Sequence, residues 1–438
     1  MSSTKPPSHL PDDALLDLLQ WETFEYFLNE AHPVTGLVAD KTHPDWPASI
    51  AATGLALAAY PVGVERGYLT REDAAARTRR TLRFFHDSEQ GPGPNTTGYK
   101  GFYYHFLDAA TGRRAWNSEI STIDSTFLLA GALVAATYFD HENAAESDIR
   151  STADFLYRRA NWRWAQDGGA TVTHGWRPET GFIPYRWEGY DEALLLYVLA
   201  LGSPTYALGP ESYAAWLSSY VWKTLYEQEF VYAGPLFIHQ LSHVWLDTRG
   251  IRDAFMRAHD LDYFENSRRA TYVQRAYAIQ NPREFAHYGE DCWGVTASDG
   301  PGPRTLRIDG IERVFYDYIA RGVPHGPDDG TLAPWAVVAS LPFAPEIVMP
   351  AIRYTVNMVH VEQRETYGFK ASYNPTYRIE GDESKENGWV SPWNFGLNQG
   401  PIVLMLENHR TGLLWELTRR SEPIVRGLRR AGFTGGWL

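Results

Sequence analysis

Residues 122–139 read TIDSTFLLAGALVAATYF, a run that is small and apolar on every side of a helix. A helix that is hydrophobic all round is buried. Residues 49–59 (SIAATGLALAA) have the same character, and so do residues 191–201 (DEALLLYVLAL) and 331–341 (TLAPWAVVASL). These stretches predict helices that lie inside the protein.

Amphipathic segments separate the apolar ones along the chain. Residues 12–29 show the pattern, because Leu15, Leu16, Leu19, Phe24, Phe27 and Leu28 form one apolar stripe. The predicted outer helices are 12–29, 70–86, 144–159, 211–226, 260–279 and 345–358. The predicted inner helices are 49–59, 122–139, 191–201, 236–246, 331–341 and 399–415. This alternation predicts an all-α protein with a single (α/α)6 toroid, in which an outer ring of helices covers an inner ring.

The lengths of the connections indicate where a functional site would lie. Inner-to-outer connections are short, as at 140–143 and 342–344. Outer-to-inner connections are long, at 30–48, 87–121, 160–190, 280–330 and 359–398, and long loops in a compact domain are usually functional. We therefore expect an active-site cleft at the rim where the inner helices begin. Residues 1–11 are predicted to be a tail, and residues 12–438 a single domain.

Composition excludes several classes of function. The 438 residues include 40 basic and 53 acidic side chains, for a net charge of −13, which argues against nucleic-acid binding. No apolar run reaches the roughly 18 residues of a membrane span. The single cysteine, Cys292, excludes an intramolecular disulfide and a Cys-rich zinc site. The first residues, MSSTKPPSHLPDD, contain no apolar leader, which favours a cytoplasmic location, or a periplasmic or secreted one if a signal has been removed.

Acidic residues at the starts of inner helices are the candidate catalytic groups. Glu192 follows Asp191 and precedes an apolar run, where burial would raise the pKa of a carboxyl toward values suited to a general acid. Asp191 is itself a good helix cap. Glu119 and Asp124 flank the start of 122–139, where capping by Ser121 or Thr122 is the alternative interpretation. Asp329 lies in the Gly-Pro-Asp-Asp-Gly turn before Thr331.

No motif predicts a metal or cofactor. His239 and His243 have the i, i+4 spacing of zinc ligands, but the remaining parts of such a site are missing, so a core or substrate-facing role is favoured. Asp382, Glu383 and Glu386 do not have calcium-loop spacing and predict a solvated loop, with calcium as the alternative. Nucleotide-binding glycine motifs are absent.

Aromatic residues are abundant, with 16 Trp and 26 Tyr. Aromatic rings stack on sugar C–H surfaces, and paired carboxylates hydrolyse glycosides. Terpene cyclases, which share this toroid, would need a D-x-D-D motif, and prenyltransferases would need a Cys-containing zinc site. The candidate substrate-binding residues are Trp176, Trp187, Tyr190, His239, Trp293, Tyr373, Asn374 and Gln399.

Several motifs carry a resemblance to a known family. They include Gly234-Pro-Leu-Phe, Asp262-Tyr-Phe-Glu-Asn-Ser-Arg-Arg-Ala-Thr, Trp293-Gly-Val-Thr-Ala-Ser-Asp and Gln399-Gly-Pro-Ile-Val-Leu-Met-Leu-Glu-Asn-His-Arg. The chain resembles the bacterial glucoamylase-like proteins, which include the endo-β-1,2-glucanases of glycoside hydrolase family 144. The resemblance covers nearly the whole chain and is strongest from 234 to 415.

The resemblance implies an (α/α)6 barrel that hydrolyses β-1,2-glucan or sophoro-oligosaccharides with inversion. The family's Gly-Trp-Asn-Glu motif matches Gly189-Tyr-Asp-Glu192, which gives Glu192 the position of the essential acid. The glutamate of the family's Gly-Gly-Asp-Leu-Val-Glu-Thr stretch matches Asp124, while Ser121 replaces the preceding acid and Glu119 is the candidate to take over its work. The alternatives are another glucoside linkage, transglycosylation, or a carbohydrate-binding toroid without activity.

Overall fold

The computed structural model describes residues 9–359, 367–379 and 388–438, and helices dominate it. Most of the predicted tail and the acidic cluster at 382–386 lie outside these residues. The helices are α1 (Asp12–Asn29), α2 (Ile50–Glu65), α3 (Arg71–Asp87), α4 (Thr122–Tyr138), α5 (Ala144–Arg159), α6 (Trp162–Ala165), α7 (Leu194–Gly202), α8 (Pro210–Leu217), α9 (Ala254–Ala258), α10 (Tyr263–Gln280), α11 (Pro334–Ala339), α12 (Pro345–Val359), α13 (Gly396–Arg410), α14 (Leu413–Arg420) and α15 (Glu422–Arg430).

The apolar helices form the interior, as predicted. All nine residues of α7 and all six of α11 are buried. The small residues of α2 and α4 let the two helices pack closely, because a Cβ on Gly54 would collide with the backbone of Phe127 and one on Gly131 with the backbone of Gly54. The close approach of the two helix backbones therefore explains why glycine occupies positions 54 and 131.

The buried segments contact one another in chain order. Helix α2 packs on α4, and α4 on α7. Ser242 then connects 236–244 to the start of α7, since its Oγ accepts from Leu195 N at 3.2 Å. Gln240 Nε2 donates to the carbonyl of Ala336 in α11, α11 packs on α13, and α13 returns to α2. The interior is therefore a closed circuit of segments.

The amphipathic helices lie outside this circuit. Helix α3 packs on α2 and α5, α5 on α4, α12 on α11, and α1 on α13. Thr70 caps α3 by accepting from Asp73 N at 3.1 Å, and Asn143 caps α5 by accepting from Glu146 N at 2.9 Å. Sequence periodicity located these helices to within one residue at each end.

Two predicted helices are wrong in part. Residues 211–226 were expected to be helical throughout, but α8 ends at Leu217. A hairpin of β8 (Trp222–Leu225) and β9 (Gln228–Val231) follows it. Its turn residues, Tyr226 and Glu227, have φ values of 49° and 65°, which suit a two-residue hairpin turn.

Residues 236–246 form two 3₁₀ turns, Leu236–His239 and Leu241–Val244, instead of one α-helix. Gln240 separates them with a φ of −124°. Partners outside the segment hold its backbone, because Trp415 Nε1 donates to the carbonyl of His243 and Asn408 Nδ2 to that of Val244. Hydrogen bonds from residues distant in the sequence therefore take the place of the backbone bonds of an α-helix in this segment.

The C-terminal region contains more helices than predicted. The expected helix 399–415 begins at Gly396 and ends at Arg410. Gly412 then adopts a left-handed φ of 74°, a conformation that suits glycine, and α14 and α15 follow.

Short antiparallel strands order the long loops. The all-α prediction did not include these strands. They are β1 (Ala48–Ser49), β2 (Gly98–Tyr99), β3 (Phe102–Tyr104), β4 (Phe106–Leu107), β5 (Ile120–Ser121), β6 (Gly175–Arg177), β7 (Gly181–Phe182), β10 (Ala297–Ser298), β11 (Arg304–Ile308), β12 (Ile311–Phe315), β13 (Ile319–Ala320), β14 (Tyr373–Asn374) and β15 (Trp389–Val390). The largest sheet has the order β2-β3-β5-β6-β7, and its strand β5 leads directly into α4. It thereby fixes the first turn of α4 against the loops 87–121 and 160–190. Among the described residues, no helix is long and apolar enough to cross a membrane.

Candidate active site

A cavity of about 490 Å³ opens at the rim where α4 and α7 begin. Four of the five long loops, 30–48, 87–121, 280–330 and 359–398, contribute side chains to it, as the loop lengths predicted. Its lining residues are Asp40, Lys41, Trp46, His105, Phe106, Trp116, Ile123, Asp124, Phe127, Glu192, Phe237, Leu241, Ala297, Asp299, Asp317, Tyr318, Trp335, Phe395, Leu397 and Asn398. Eight of these twenty residues are Trp, Tyr or Phe, and five carry carboxyl groups.

Glu192 lies in the turn just before α7, and its carboxyl lines the cavity. Ser242 fixes this turn, because its Oγ donates to the Glu192 carbonyl at 3.0 Å. Burial raises the pKa of Glu192, and the negative charges of Asp191 and Asp124 raise it further. A carboxyl group in this state keeps its proton near neutral pH and can donate it.

Asp191 is not the cap of α7, whose N-cap residue is Ala193, but its carboxylate holds the turn that precedes the helix. Its Oδ1 accepts from Ala193 N at 3.0 Å and from Trp216 Nε1 at 3.0 Å. Burial raises the pKa of Asp191, although both hydrogen bonds oppose the rise. The side chain is not part of the cavity lining.

Asp124 occupies the first turn of α4 and faces the same cavity as Glu192. Ser121 caps the helix by accepting from Asp124 N at 3.2 Å, and its hydroxyl also donates to Asp124 Oδ2. The capping interpretation is confirmed, and the Ser121 cap also orients the Asp124 carboxylate.

His105 connects Asp124 to Glu119. Its Nε2 lies 3.6 Å from Asp124 Oδ1, and its Nδ1 lies 3.0 Å from Glu119 Oε1. Burial lowers the pKa of His105, but Asp124 and Glu119 outweigh it and raise that pKa to about 9. An imidazolium at this position places a positive charge beside the Asp124 carboxylate. The sequence analysis missed His105, because no spacing motif relates it to Asp124.

Glu119 supports this pair from outside the cavity. Besides His105, its carboxylate contacts Arg177, with Nη2 at 3.5 Å from Oε2. Burial raises the pKa of Glu119, but the hydrogen bond and charge of His105 outweigh it and lower that pKa to about 2. Glu119 is therefore ionised, and its carboxylate forms an ion pair with His105.

Asp40 is a cavity carboxyl that the sequence analysis missed. Its Oδ2 accepts from Trp46 Nε1 at 3.0 Å. Burial raises the pKa of Asp40 to about 6, against the lowering effect of His105. Asp299 lies on the cavity wall as well, where burial raises its pKa and Ser391 Oγ donates to it at 2.8 Å. The loop 30–48 has a polar sequence without a motif, so only its length indicated a function.

The structure places Asp329 away from the cavity. It forms an ion pair with Arg321, with Nε to Oδ1 at 2.7 Å, and both side chains are fully buried. Tyr316 N and Thr331 N also donate to it, at 2.9 and 3.1 Å. These donors occupy both oxygens of the Asp329 carboxylate, which holds the 316–331 loop in place. Asp329 is therefore not one of the proposed catalytic residues.

None of the eight candidate substrate-binding residues lines the cavity. Trp187 is buried, and its Nε1 donates to Thr122 Oγ1 at 3.0 Å. Asn374 is also buried, and its Nδ2 donates to the carbonyl of Asp329 and to Thr331 Oγ1, both at 3.0 Å. His239 is buried too, and burial lowers its pKa to about 4. Trp176 and Tyr190 are half-buried, and Trp293, Tyr373 and Gln399 are buried. Six of the eight lie in long loops and two in predicted inner helices, so membership of a long loop did not decide which side chains line the cavity.

The described residues contain no group of three or more His, Cys, Asp or Glu side chains that could hold a metal ion. His243 is buried between Ser267 and Thr248, with contacts of 3.0 and 3.3 Å to its ring nitrogens. The i, i+4 histidines are therefore core residues.

Comparison with known proteins identifies the family. The family model Glycoamylase, described as "Putative glucoamylase", matches residues 184–422, more than half of the chain. The chain belongs to this family. The predicted resemblance to glucoamylase-like proteins is thereby confirmed. The matched range includes Glu192, while Asp124 and His105 lie before it.

Two solved structures share the fold over 98% of this chain. A "putative glucoamylase" from Bacteroides uniformis is 32% identical, with a TM-score of 0.86 over 98% of this chain and 99% of that one. An endo-β-1,2-glucanase from Chitinophaga pinensis, solved with sophorotriose and glucose, is 26% identical. It has a TM-score of 0.85 over 98% of this chain and 100% of that one.

A characterised relative is longer than this chain. The exo-β-1,2-glucooligosaccharide sophorohydrolase (non-reducing end) of Parabacteroides distasonis is 30% identical over 98% of the chain. The chain spans 59% of the length of that relative.

Proposed function

We propose that this Glycoamylase-family protein is a glycoside hydrolase that cleaves β-1,2-linked glucans or sophoro-oligosaccharides. The observation that carries the proposal is that Glu192, with a raised pKa, and Asp124, paired with His105, face one aromatic-lined cavity. A protonated carboxyl and an ionised one are the two groups that glycoside hydrolysis requires. The activities of the relatives from P. distasonis and C. pinensis support the linkage.

The proposed roles follow from the two environments. Glu192 donates a proton to the oxygen of the leaving sugar, since burial and neighbouring negative charges keep it protonated. Asp124 accepts a proton from the attacking water, because its carboxylate lines the same cavity as Glu192 and lies beside the His105 imidazolium. Glu119 is a positioning residue, which fixes His105 through a 3.0 Å contact.

We propose that hydrolysis proceeds with inversion. Glu192 and Asp124 come from the starts of two neighbouring inner helices, α7 and α4. Packed helix axes lie about 8–10 Å apart. Inverting enzymes need about 6.5–9.5 Å between their carboxyl groups, to admit a water, whereas retaining enzymes need about 5–5.5 Å. Carboxylates on adjacent helices suit the wider separation.

The circuit of buried segments also supports an (α/α)6 barrel over residues 12–438 as a single domain. The proposed inner ring is α2, α4, α7, 236–244, α11 and α13. The outer ring is α1, α3, α5, α8, α10 and α12. In this arrangement the two proposed catalytic residues both lie at the amino ends of inner segments, which is the rim that holds the cavity.

Product analysis against a panel of glucans tests the function. Linear β-1,2-glucan and sophoro-oligosaccharides should release shorter sugars, while β-1,3-, β-1,4- and α-1,4-glucans should release little. Preferential release from another glucan would overturn the proposed linkage. Binding to all of these chains without release from any would indicate a carbohydrate-binding protein without activity.

A further inference from the structure

A second groove lies directly outside the catalytic cavity, and we call it the outer groove. It has a volume of about 380 Å³, and its wall includes His32, Asp45, Trp46, Asp108 and Trp116. Trp46 and Trp116 also line the catalytic cavity. A chain that leaves the cavity past these two rings would therefore enter the outer groove.

The two indole rings form a corner between the two spaces. Their centroids are 4.5 Å apart at an interplanar angle of 73°. Lys41 Nζ lies 3.8 Å from the centroid of Trp46, and Phe106 supports Trp116 at 5.2 Å. Trp46 is half-buried and held by its bond to Asp40, but Trp116 is 54% exposed. A Trp side chain that is more than half exposed is suited to stacking on an apolar surface of a ligand.

The backbone holds Trp116 in this position at a cost. Trp116 and Asn117 have φ values of 53° and 55°, in the left-handed region that bulky residues avoid. They are the central residues of a turn closed by Ser118 N, which donates to the Ala115 carbonyl at 3.0 Å. Arg114 braces the turn by donating to the carbonyl of Asn117 at 2.8 Å. Asn117 suits its position in this turn, but glycine or asparagine would suit position 116 better than Trp116, so the conformation serves the position of the Trp116 ring.

Polar groups also border the outer groove. Asp45 is exposed, also has a left-handed φ of 59°, and its carboxylate accepts no hydrogen bond from the described residues. Asp108 uses Oδ1 to accept from Thr111 N at 2.7 Å. An aromatic face beside carboxylate acceptors can hold a neutral polyhydroxylated ligand, whose C–H face stacks while its hydroxyl groups donate.

We propose that the outer groove is an additional sugar subsite, in which Trp116 stacks on a glucosyl unit of the substrate chain beyond those held in the catalytic cavity. This inference rests on the proposed function. The subsite makes the enzyme select longer β-1,2-gluco-oligosaccharides over the shortest one that it cleaves. An anionic ligand does not fit as well, because the rim carries Asp45 and Asp108.

The test compares kcat/KM across a series of β-1,2-gluco-oligosaccharides of increasing length. Trp116→Ala should lower kcat/KM about tenfold on the longer chains, as expected for removal of an aromatic anchor. The loss should be smaller on the shortest substrate, so that the preference for longer chains falls. Trp116→Tyr, which keeps a ring, should restore most of the preference, and Tyr206→Ala, an exposed aromatic after the far end of α7, should leave it intact.

The outcomes separate this proposal from the proposed function. An equal loss on all chain lengths, or no loss on any, would overturn the subsite while leaving the hydrolase assignment in place. If the wild-type protein binds these oligosaccharides without cleaving them, the same length comparison applies to their dissociation constants, measured by calorimetry. If it neither binds nor cleaves them, both proposals are wrong.

Discussion

Replacing His105 by Gln should change how the stability of the protein depends on pH. Burial lowers the pKa of His105, but Asp124 and Glu119 raise it to about 9, compared with 6.5 for an ordinary histidine. A rise from 6.5 to about 9 corresponds to roughly 3 kcal/mol before solvent screening. Because the imidazole is 31% exposed, we expect about 1–2 kcal/mol.

The sign of the effect follows from the raised pKa. This contribution to the free energy of unfolding is fully present below a pH of about 6.5 and is lost as the pH rises through about 9. Urea unfolding at both ends of this range should therefore show the wild-type protein losing about 1–2 kcal/mol more than His105→Gln. His259→Gln, an exposed histidine stacked on Trp222 and distant in sequence from the site, serves as the matched control. Equal pH dependence in the wild-type protein and His105→Gln would refute the reasoning.

Three other predictions concern stereochemistry and the interior. Proton NMR of the first product from a β-linked oligosaccharide should show the α-anomer, and an initial β-anomer would contradict inversion. Asp329→Asn should lower the free energy of unfolding by about 3–5 kcal/mol, because it leaves Arg321 charged and buried without its partner; a loss below about 1 kcal/mol in urea unfolding would contradict this. Trp187→Ala should lower the melting temperature by several degrees, since Trp187 packs in the core; an unchanged melting temperature with weaker oligosaccharide binding would instead support a subsite.

The sequence was most informative where one local property decides the structure. Helix α4 could be predicted from its composition, because a segment without a polar face can only be buried. Asp124 and Glu192 could be predicted because both stand at the starts of apolar helices. Their common cavity follows from the alternation of helices, which brings the amino ends of inner helices to one rim.

Prediction failed where contacts between distant segments decide the outcome. Residues 236–246 have a helical pattern, but hydrogen bonds from Asn408 and Trp415 hold them as 3₁₀ turns. His105 and Asp40 reach the cavity from loops whose paths no local pattern encodes. Trp187 and Trp116 both lie in long loops, yet one ring packs inward and the other faces solvent. Loop membership carries no information on the direction of a side chain.

The most direct test of the account is the activity of Glu192→Gln on two substrates that differ in their leaving group. A sugar leaving group needs a proton from Glu192, whereas fluoride leaves without one. On sophoro-oligosaccharides the variant should lose roughly 10²–10⁴-fold in rate, and on β-sophorosyl fluoride it should stay within about tenfold of the wild-type protein. Glu188→Gln, an exposed glutamate of the same loop, should match the wild-type protein on both. Near-normal cleavage of sophoro-oligosaccharides by Glu192→Gln would contradict the central claim that Glu192 is the general acid.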